Sequence, residues 1–317
     1  MREVLRRLVA GEITEDEALA EIRGVQLDEL AGRARLDLGR YLRRGVPEVV
    51  LASGKSPAEA ARLVIAMARR QGQGLISRMS EAHRDELHRA ATDAGFSITG
   101  HSTSARVTRP GFEPERIDGK AGILTAGTSD VPVAEEARQV IEACGVDVRL
   151  EADLGVAGLH RFVAPLAAML EWGADVIIVA AGMDGVLPGL VAGLTDVPVI
   201  GLPVSTGYGR GGAGEAALDT MLQSCSTGLV VVNIDNGVGA GAAAVLIASR
   251  VAQRRRRGRN TARTATRIAA ASSEMIQNGA RSRKNAAASR SEKASARTKI
   301  SAKTVMSSRG APRRRRP

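Results

Sequence analysis

The chain predicts an α/β fold: a doubly wound parallel sheet, preceded by a small α/β domain and followed by a strongly basic tail. Three observations carry this. From Lys120 onward, apolar strand patterns and helix patterns alternate five times. The strand segments are continuous apolar runs, as in a parallel sheet covered on both faces, and not alternating ones. The charge is also split along the chain. Residues 253–317 hold 20 of the 45 Lys and Arg and two of the 34 acids, so the tail carries +18 and the remainder −7.

Taken in order, residues 1–27 read as N-terminal helices, with Thr14-Glu-Asp-Glu17 at capping-box spacing. Residues 28–110 read as the small α/β domain. Glu48–Ala52 and Leu75–Met79 are its strands. Ser56 is an N-cap with Pro57 in the first turn and Glu59 at the capping-box position, and a polar helix runs to about Ala94. Residues 109–118 read as a linker. The larger, doubly wound domain spans 119–252, with strands at 122–126, 147–151, 175–181, 197–202 and 229–233. Each is followed by a helix: 131–143, 160–172, 186–194, 214–224 and 240–252. The tail has too few large apolar residues to bury a core and is expected to be disordered.

Composition excludes several classes. Aromatics are 2% of the chain, so the core is aliphatic and base-stacking platforms are scarce. Two cysteines, Cys144 and Cys225, make no disulfide framework. The N-terminus carries Glu3 and Glu12 and does not read as a signal peptide. The most apolar stretch, Val176 to Leu194, is broken by Asp184, Pro188 and glycines, so no membrane span is expected. A cytoplasmic setting fits these features. The tail would bind nucleic acid by charge alone, with steep salt dependence and no aromatic residue for stacking.

In a doubly wound sheet, ligands bind at the carboxyl ends of the strands, and here those ends carry the unusual residues. The first ends in Gly127-Thr128-Ser129-Asp130 before a helix, a setting for phosphate; Asp130 either takes ribose hydroxyls or caps the helix. The second leads to Asp153, then His160 and Arg161 at a helix start. These are either an acid/base group and a phosphate clamp or a surface pair. The third ends in Gly182-Met183-Asp184-Gly185, a carboxylate between glycines that is either a site residue or a helix cap. The fourth ends in the glycine-rich segment 203–214, a mobile loop or a plain connection. Cys225 precedes the fifth strand and Asn233-Ile-Asp235-Asn236-Gly237 follows it, which places the thiol beside the expected ligand opening. Cys144 reads as a small buried hydrophobe. A helix ends just before Cys225, and the negative end of its dipole disfavours a thiolate. A cation is therefore needed nearby, either Arg210 or a positively charged substrate.

Residues 120–252 resemble the PurE-type aminoimidazole ribonucleotide carboxylase domain, in Gly127–Asp130, Leu159–Arg161, Asp175–Gly182, Leu187–Thr195 and Val197–Pro203. True PurE enzymes have Gln-Met-Pro where this chain has Gln223-Ser224-Cys225. Residues 28–252 more closely resemble the LarB family, the pyridinium-3,5-biscarboxylic acid mononucleotide synthases of nickel-pincer cofactor biosynthesis. Arg44–Glu48, Gly54-Lys55, the Gly182–Gly185 loop, and Ser224-Cys225 with Asn233–Gly237 carry that likeness.

The resemblance implies that the ring of nicotinic acid adenine dinucleotide is carboxylated with carbon dioxide and its phosphoanhydride hydrolysed, with magnesium assisting and no organic cofactor. It implies Cys225 as nucleophile, Asp184 as base in place of the family's Glu, and His160 as a catalytic group. Gly127, Thr128, Ser129, Asp130, Asp153, Arg161, Gly182, Met183, Asp235, Asn236 and Gly237 are implied to bind substrate. It also implies a homo-oligomer, an octamer in the small PurE-like domains. Two other readings stand beside it: a ribonucleotide carboxylase or mutase of purine biosynthesis, and a nucleic-acid-binding protein acting through the tail.

Overall fold

The computed structural model describes residues 2–23, 27–30, 34–37 and 40–258. The expected tail disorder falls almost wholly on residues 259–317, outside the described residues. Two helices open the chain, α1 (Arg2–Val9) and α2 (Glu15–Arg23). Thr14 forms the expected reciprocal box: its N–H donates to Glu17 Oε2 at 2.7 Å and its hydroxyl accepts from the Glu17 N–H at 3.2 Å. An antiparallel pair follows, β1 (Leu27–Leu30) and β2 (Ala34–Asp37), then the short α3 (Arg40–Arg44).

The small α/β part contains β3 (Val49–Leu51), α4 (Pro57–Gln71), β4 (Gln73–Ser77), α5 (Glu81–Asp93), β5 (Ser97–Gly100) and β6 (Ala105–Thr108). Its sheet runs β3-β4-β6-β5. The β3–β4 pair is parallel and the other two pairings are antiparallel. Strands β5 and β6 are absent from the sequence reading. They are four residues each, and β5 is largely exposed, so neither carries a run of apolar residues; β6 is set by pairing with β4, and β5 by pairing with β6.

The second sheet contains β7 (Ile117–Thr125), α6 (Val131–Ala143), β8 (Val146–Glu151), α7 (His160–Glu171), β9 (Val176–Ala181), α8 (Leu187–Leu194), β10 (Val199–Pro203), α9 (Glu215–Leu222), β11 (Leu229–Val231) and a closing helix, α10, that begins at 237. The strand order is β11-β10-β9-β7-β8, and every pairing is parallel. Strand β7 begins inside the expected 109–118 linker. Its ladder shifts register between Ile117 and Lys120, where the Asp175 carboxylate accepts from the Lys120 N–H at 2.9 Å, so the polar Ile-Asp-Gly-Lys stretch extends the strand without an apolar pattern.

Helices α6 and α10 pack on one face with Ile123, Ile178 and Ile200; α7, α8 and α9 pack on the other with Leu124, Ile177 and Val199. All six residues of β9 are buried, which is why its sequence is a solid apolar run. Each fully buried large aliphatic side chain here stabilises the fold by about 1.5–3 kcal/mol. Both sheets belong to one unit, Met1–Arg254. Buried amides join them: Gln73 Nε2 donates to the Ala143 carbonyl at 2.8 Å, and Gln139 Nε2 to the Ser104 carbonyl at 3.0 Å. Among the described residues no helix is long and apolar enough to cross a membrane.

Candidate active site

From β7 the chain steps outward to β8, then crosses back to β9 on the other side. The carboxyl ends of β7 and β9 therefore flank a topological switch point, the place at which doubly wound sheets form a ligand crevice. The loop after β7, with a short 3-10 turn over Thr128–Asp130, forms one wall. Thr128 and Ser129 are exposed there, whereas Asp130 is buried. Asp130 Oδ2 accepts from the Gly127 N–H at 2.8 Å, and Oδ1 accepts from the Thr206 hydroxyl at 2.8 Å. Burial pushes the Asp130 carboxyl above its usual range, against the opposing pull of the Gly127 amide, the Thr206 hydroxyl and the Gly182 amide. Both oxygens are thus engaged within the protein, and the residue ties three loops together. Gly182 is part of this close approach: a Cβ there would stand 2.5 Å from Thr206 Oγ1.

The loop after β8 folds over the same crevice. The Leu154 N–H donates to the Thr125 carbonyl at 3.0 Å, which sets Asp153 beside the Gly127 loop, and Asp153 pairs with Arg161. His160 opens α7, exposed, next to that pair.

After β9, Gly182–Gly185 make a tight turn closed by Gly185 N–H to Gly182 O at 2.9 Å. Asp184 is exposed on it, with Oδ1 accepting from the Val186 N–H at 3.4 Å. After β10, the Ser205 N–H donates to Asp235 Oδ1 at 2.9 Å, which ties this loop to the one after β11. Asn236 Oδ1 accepts from the Gly239 N–H at 2.9 Å and caps α10. The Gly237 backbone lies against α6 at Glu136 and Val133.

Four non-glycine residues adopt left-handed backbone in these loops: Asp153, Met183, Ala213 and Asp235, with φ of 64°, 48°, 56° and 54°. One lies after each of β8, β9, β10 and β11. Each costs on the order of 1–2 kcal/mol, and such strain persists where the surroundings over-determine it, commonly at functional sites.

Cys225 lies elsewhere. It precedes β11, and the Gly228 carbonyl accepts from the Val199 N–H at the start of β10, so the thiol loop is at the amino end of the sheet. The expectation that it stands at the strand ends is corrected in this respect: it reaches the site along α8. Ser226 Oγ donates to the Gly189 carbonyl at 2.7 Å, laying the loop on that helix. Exposed Cys225 lines an open cavity of about 430 Å³ with Ser224, Thr220, Gly189, Val186 and Gly185, the residue after Asp184. The structure therefore brings Cys225 to the Asp184 loop. It does not bring His160 to them: His160 follows β8 and Cys225 precedes β11, the two edges of the sheet. Cys144 is fully buried, and burial pushes its thiol up to about 12.

Sequence reasoning missed Thr206, Glu136 and Arg78. The legible signal was Glu135-Glu136 on a helix otherwise rich in apolar residues; both are buried. Among the described residues no group of three His, Cys, Asp or Glu could hold a metal ion. The magnesium implied by the resemblance has no assembled protein donor set there, and no step is assigned to it.

Comparisons with known proteins agree with this architecture. Residues 120–257 match the AIR carboxylase family, and residues 28–108 match the LarB/PurE-like N-terminal domain. The sheet with its switch-point crevice defines a PurE-like α/β protein. An uncharacterised protein of Methanocaldococcus jannaschii is 40% identical over 251 residues, covering 78% of this chain and 96% of that protein. An N5-carboxyaminoimidazole ribonucleotide mutase of Thermotoga maritima is 31% identical over 127 residues, covering 40% of this chain and 74% of that protein. The mutase of Pyrococcus abyssi is 37% identical over 91 residues, covering 27% and 50%. The chain belongs to the LarB-like branch of the PurE superfamily.

Proposed function

We propose that this protein carboxylates the pyridinium ring of nicotinic acid adenine dinucleotide and hydrolyses its phosphoanhydride, giving a biscarboxylated mononucleotide and AMP for nickel-pincer cofactor synthesis. The observation that supports it most is the exposed Cys225 thiol in a cavity that runs along α8 to the Asp184 loop.

A pyridinium ring is electron-poor and cannot attack carbon dioxide. Addition of the Cys225 thiolate to a ring carbon neutralises the ring and leaves an enamine, whose carbon attacks carbon dioxide. Asp184 then removes the proton from that carbon, and expulsion of the thiolate restores the aromatic ring. The ring C–H becomes C–COO⁻ with release of one proton. The C-terminus of α9, just before Cys225, suits a cationic ring and answers the dipole objection to a thiolate. Gly127–Ser129 and Arg161 are assigned to the phosphates. His160, beside them, is the acid/base group of that end. Because the sheet edges separate His160 from Cys225, the proposal includes a homo-oligomer. Exposed Leu159, Val163, Leu194, Leu222 and Val230 supply apolar surface for a second copy.

The mutase relatives favour one other reading, an aminoimidazole ribonucleotide carboxylase or mutase, which needs no thiol. Incubation with nicotinic acid adenine dinucleotide, bicarbonate and magnesium, followed by mass spectrometry, separates the two. A dicarboxylated mononucleotide is expected, and its absence sinks the main proposal.

A further inference from the structure

The small α/β part reaches the switch point through one arginine. Strand β4 ends in Ser77, and Arg78 follows in left-handed backbone, φ 56°. Its Nη2 donates to the Asp235 carbonyl at 3.1 Å, 157 residues away. Beside it the Ser77 hydroxyl bonds the buried Glu136 carboxylate, whose Oε2 accepts from the Val238 N–H at 3.1 Å. The segment after β11 is thus gripped from the other sheet at two points.

Asp235 passes this hold onward. Its N–H donates to the Pro203 carbonyl at 2.9 Å, and its Oδ1 accepts from the Ser205 N–H. The next residue, Thr206, donates to Asp130, and Asp130 accepts from the Gly127 N–H. A continuous relay therefore runs from Arg78 through Asp235, Ser205–Thr206 and Asp130 to the Gly127 loop. Asp235 is itself in left-handed backbone, a conformation that needs outside support. Arg78 supplies a charged donor to its carbonyl, one of the stronger kinds of hydrogen bond.

We infer that Arg78 is a positioning residue: through Asp235 it holds the glycine-rich loop after β10, and with it the Gly127 loop, in the arrangement that takes the dinucleotide. This rests on the switch point being the substrate site. Arg78 touches neither the thiol nor its cavity. The N-terminal part is on this view a working component of the site, coupled to the Asp235 relay through Arg78.

The test uses the full chain, as wild type, Arg78→Met and Arg78→Lys. Without substrate, hydrogen–deuterium exchange is expected to rise about tenfold in residues 204–214 and 233–238 of Arg78→Met, the scale of a lost charged hydrogen bond. Exchange in α4 and β4 should stay unchanged, and Arg78→Lys, which keeps charge and donor, should restore most of the protection. With substrate, Arg78→Met should raise KM for the dinucleotide about tenfold while kcat changes little, and Arg78→Lys should lie between. Unchanged exchange in the two loops, or a rise spread evenly over the small sheet, overturns the inference. Loosened loops with no carboxylation by any form, wild type included, would leave the brace standing and remove the proposed reaction instead.

Discussion

Asp130 and Thr206 meet across 76 residues of sequence: the Thr206 hydroxyl donates to Asp130 Oδ1 at 2.8 Å, joining the loops after β7 and β10 over the end of β9. Gly182 lies directly beneath this bond. A Cβ on Gly182 would collide with the hydroxyl at 2.5 Å, so the three positions form one mechanical unit.

Gly182→Ala is accordingly expected to destabilise the fold by about 1–3 kcal/mol through overpacking. Thr206→Ala should cost about 1.5–3 kcal/mol, because the buried carboxylate loses a donor. In the double variant the hydroxyl that clashes is gone, so the two losses should sum to less than their separate values by about 0.5–3 kcal/mol. Urea unfolding of the four proteins measures this, and simple additivity contradicts the unit.

The two cysteines should differ sharply in reactivity. Cys225 is exposed and Cys144 is fully buried with its thiol pushed up to about 12. Brief treatment of the folded protein with iodoacetamide should therefore alkylate Cys225 alone. Peptide mass spectrometry reads the sites, and modification of Cys144 before unfolding would show that the helix C-terminus opens.

Cys225→Ala should abolish ring carboxylation while shifting stability by no more than about 0.5 kcal/mol, as for other exposed sites. Asp184→Asn should lower kcat by about 10²–10⁴, the range of a lost general base, with Asp184→Glu retaining much of the rate. Product formation by Cys225→Ala at the wild-type rate would favour the mutase reading.

Glu136 gives a pH signature. Burial, opposed by Ser77, Val238, Arg78 and Gly237, raises its carboxyl above the ordinary 4.5. A raised carboxyl binds its proton more tightly in the folded chain, so its stabilising contribution is full below 4.5 and is lost as pH climbs through the folded value. As pH rises from 4.5, wild type should lose stability relative to Glu136→Gln. Asp130, also raised, is common to both proteins and drops out of the difference. Parallel urea midpoints across that range would refute the assignment.

Local pattern made much of this molecule legible. The six buried residues of β9 are a run that reads as a strand in isolation, and Thr14 and Glu17 announce a helix start at fixed spacing. The residues at the strand ends were visible because glycine and carboxylate are costly choices directly after a buried strand. Other features left no local trace. Strand β5 owes its conformation to a neighbour across the sheet, and β7 begins with a register shift between Ile117 and Lys120, where the Asp175 carboxylate accepts from the Lys120 N–H. Arg78 was unreadable for a related reason: its partner is a backbone carbonyl, which every residue has.

The sequence by itself determined the five strand–helix units of the second sheet, the glycines at the strand ends, the thiol in its polar loop, and the membership of a family, since apolar period, capping chemistry and motif identity are local properties. The tertiary structure alone decided which loops meet. Strand β9 pairs beside β7 and not beside β8, so the first and third strand ends share a crevice. The thiol, at the amino end of β11, reaches the Asp184 loop only because its own loop lies along α8. Those outcomes follow from crossover direction and packing over the whole sheet, and no window of sequence contains them.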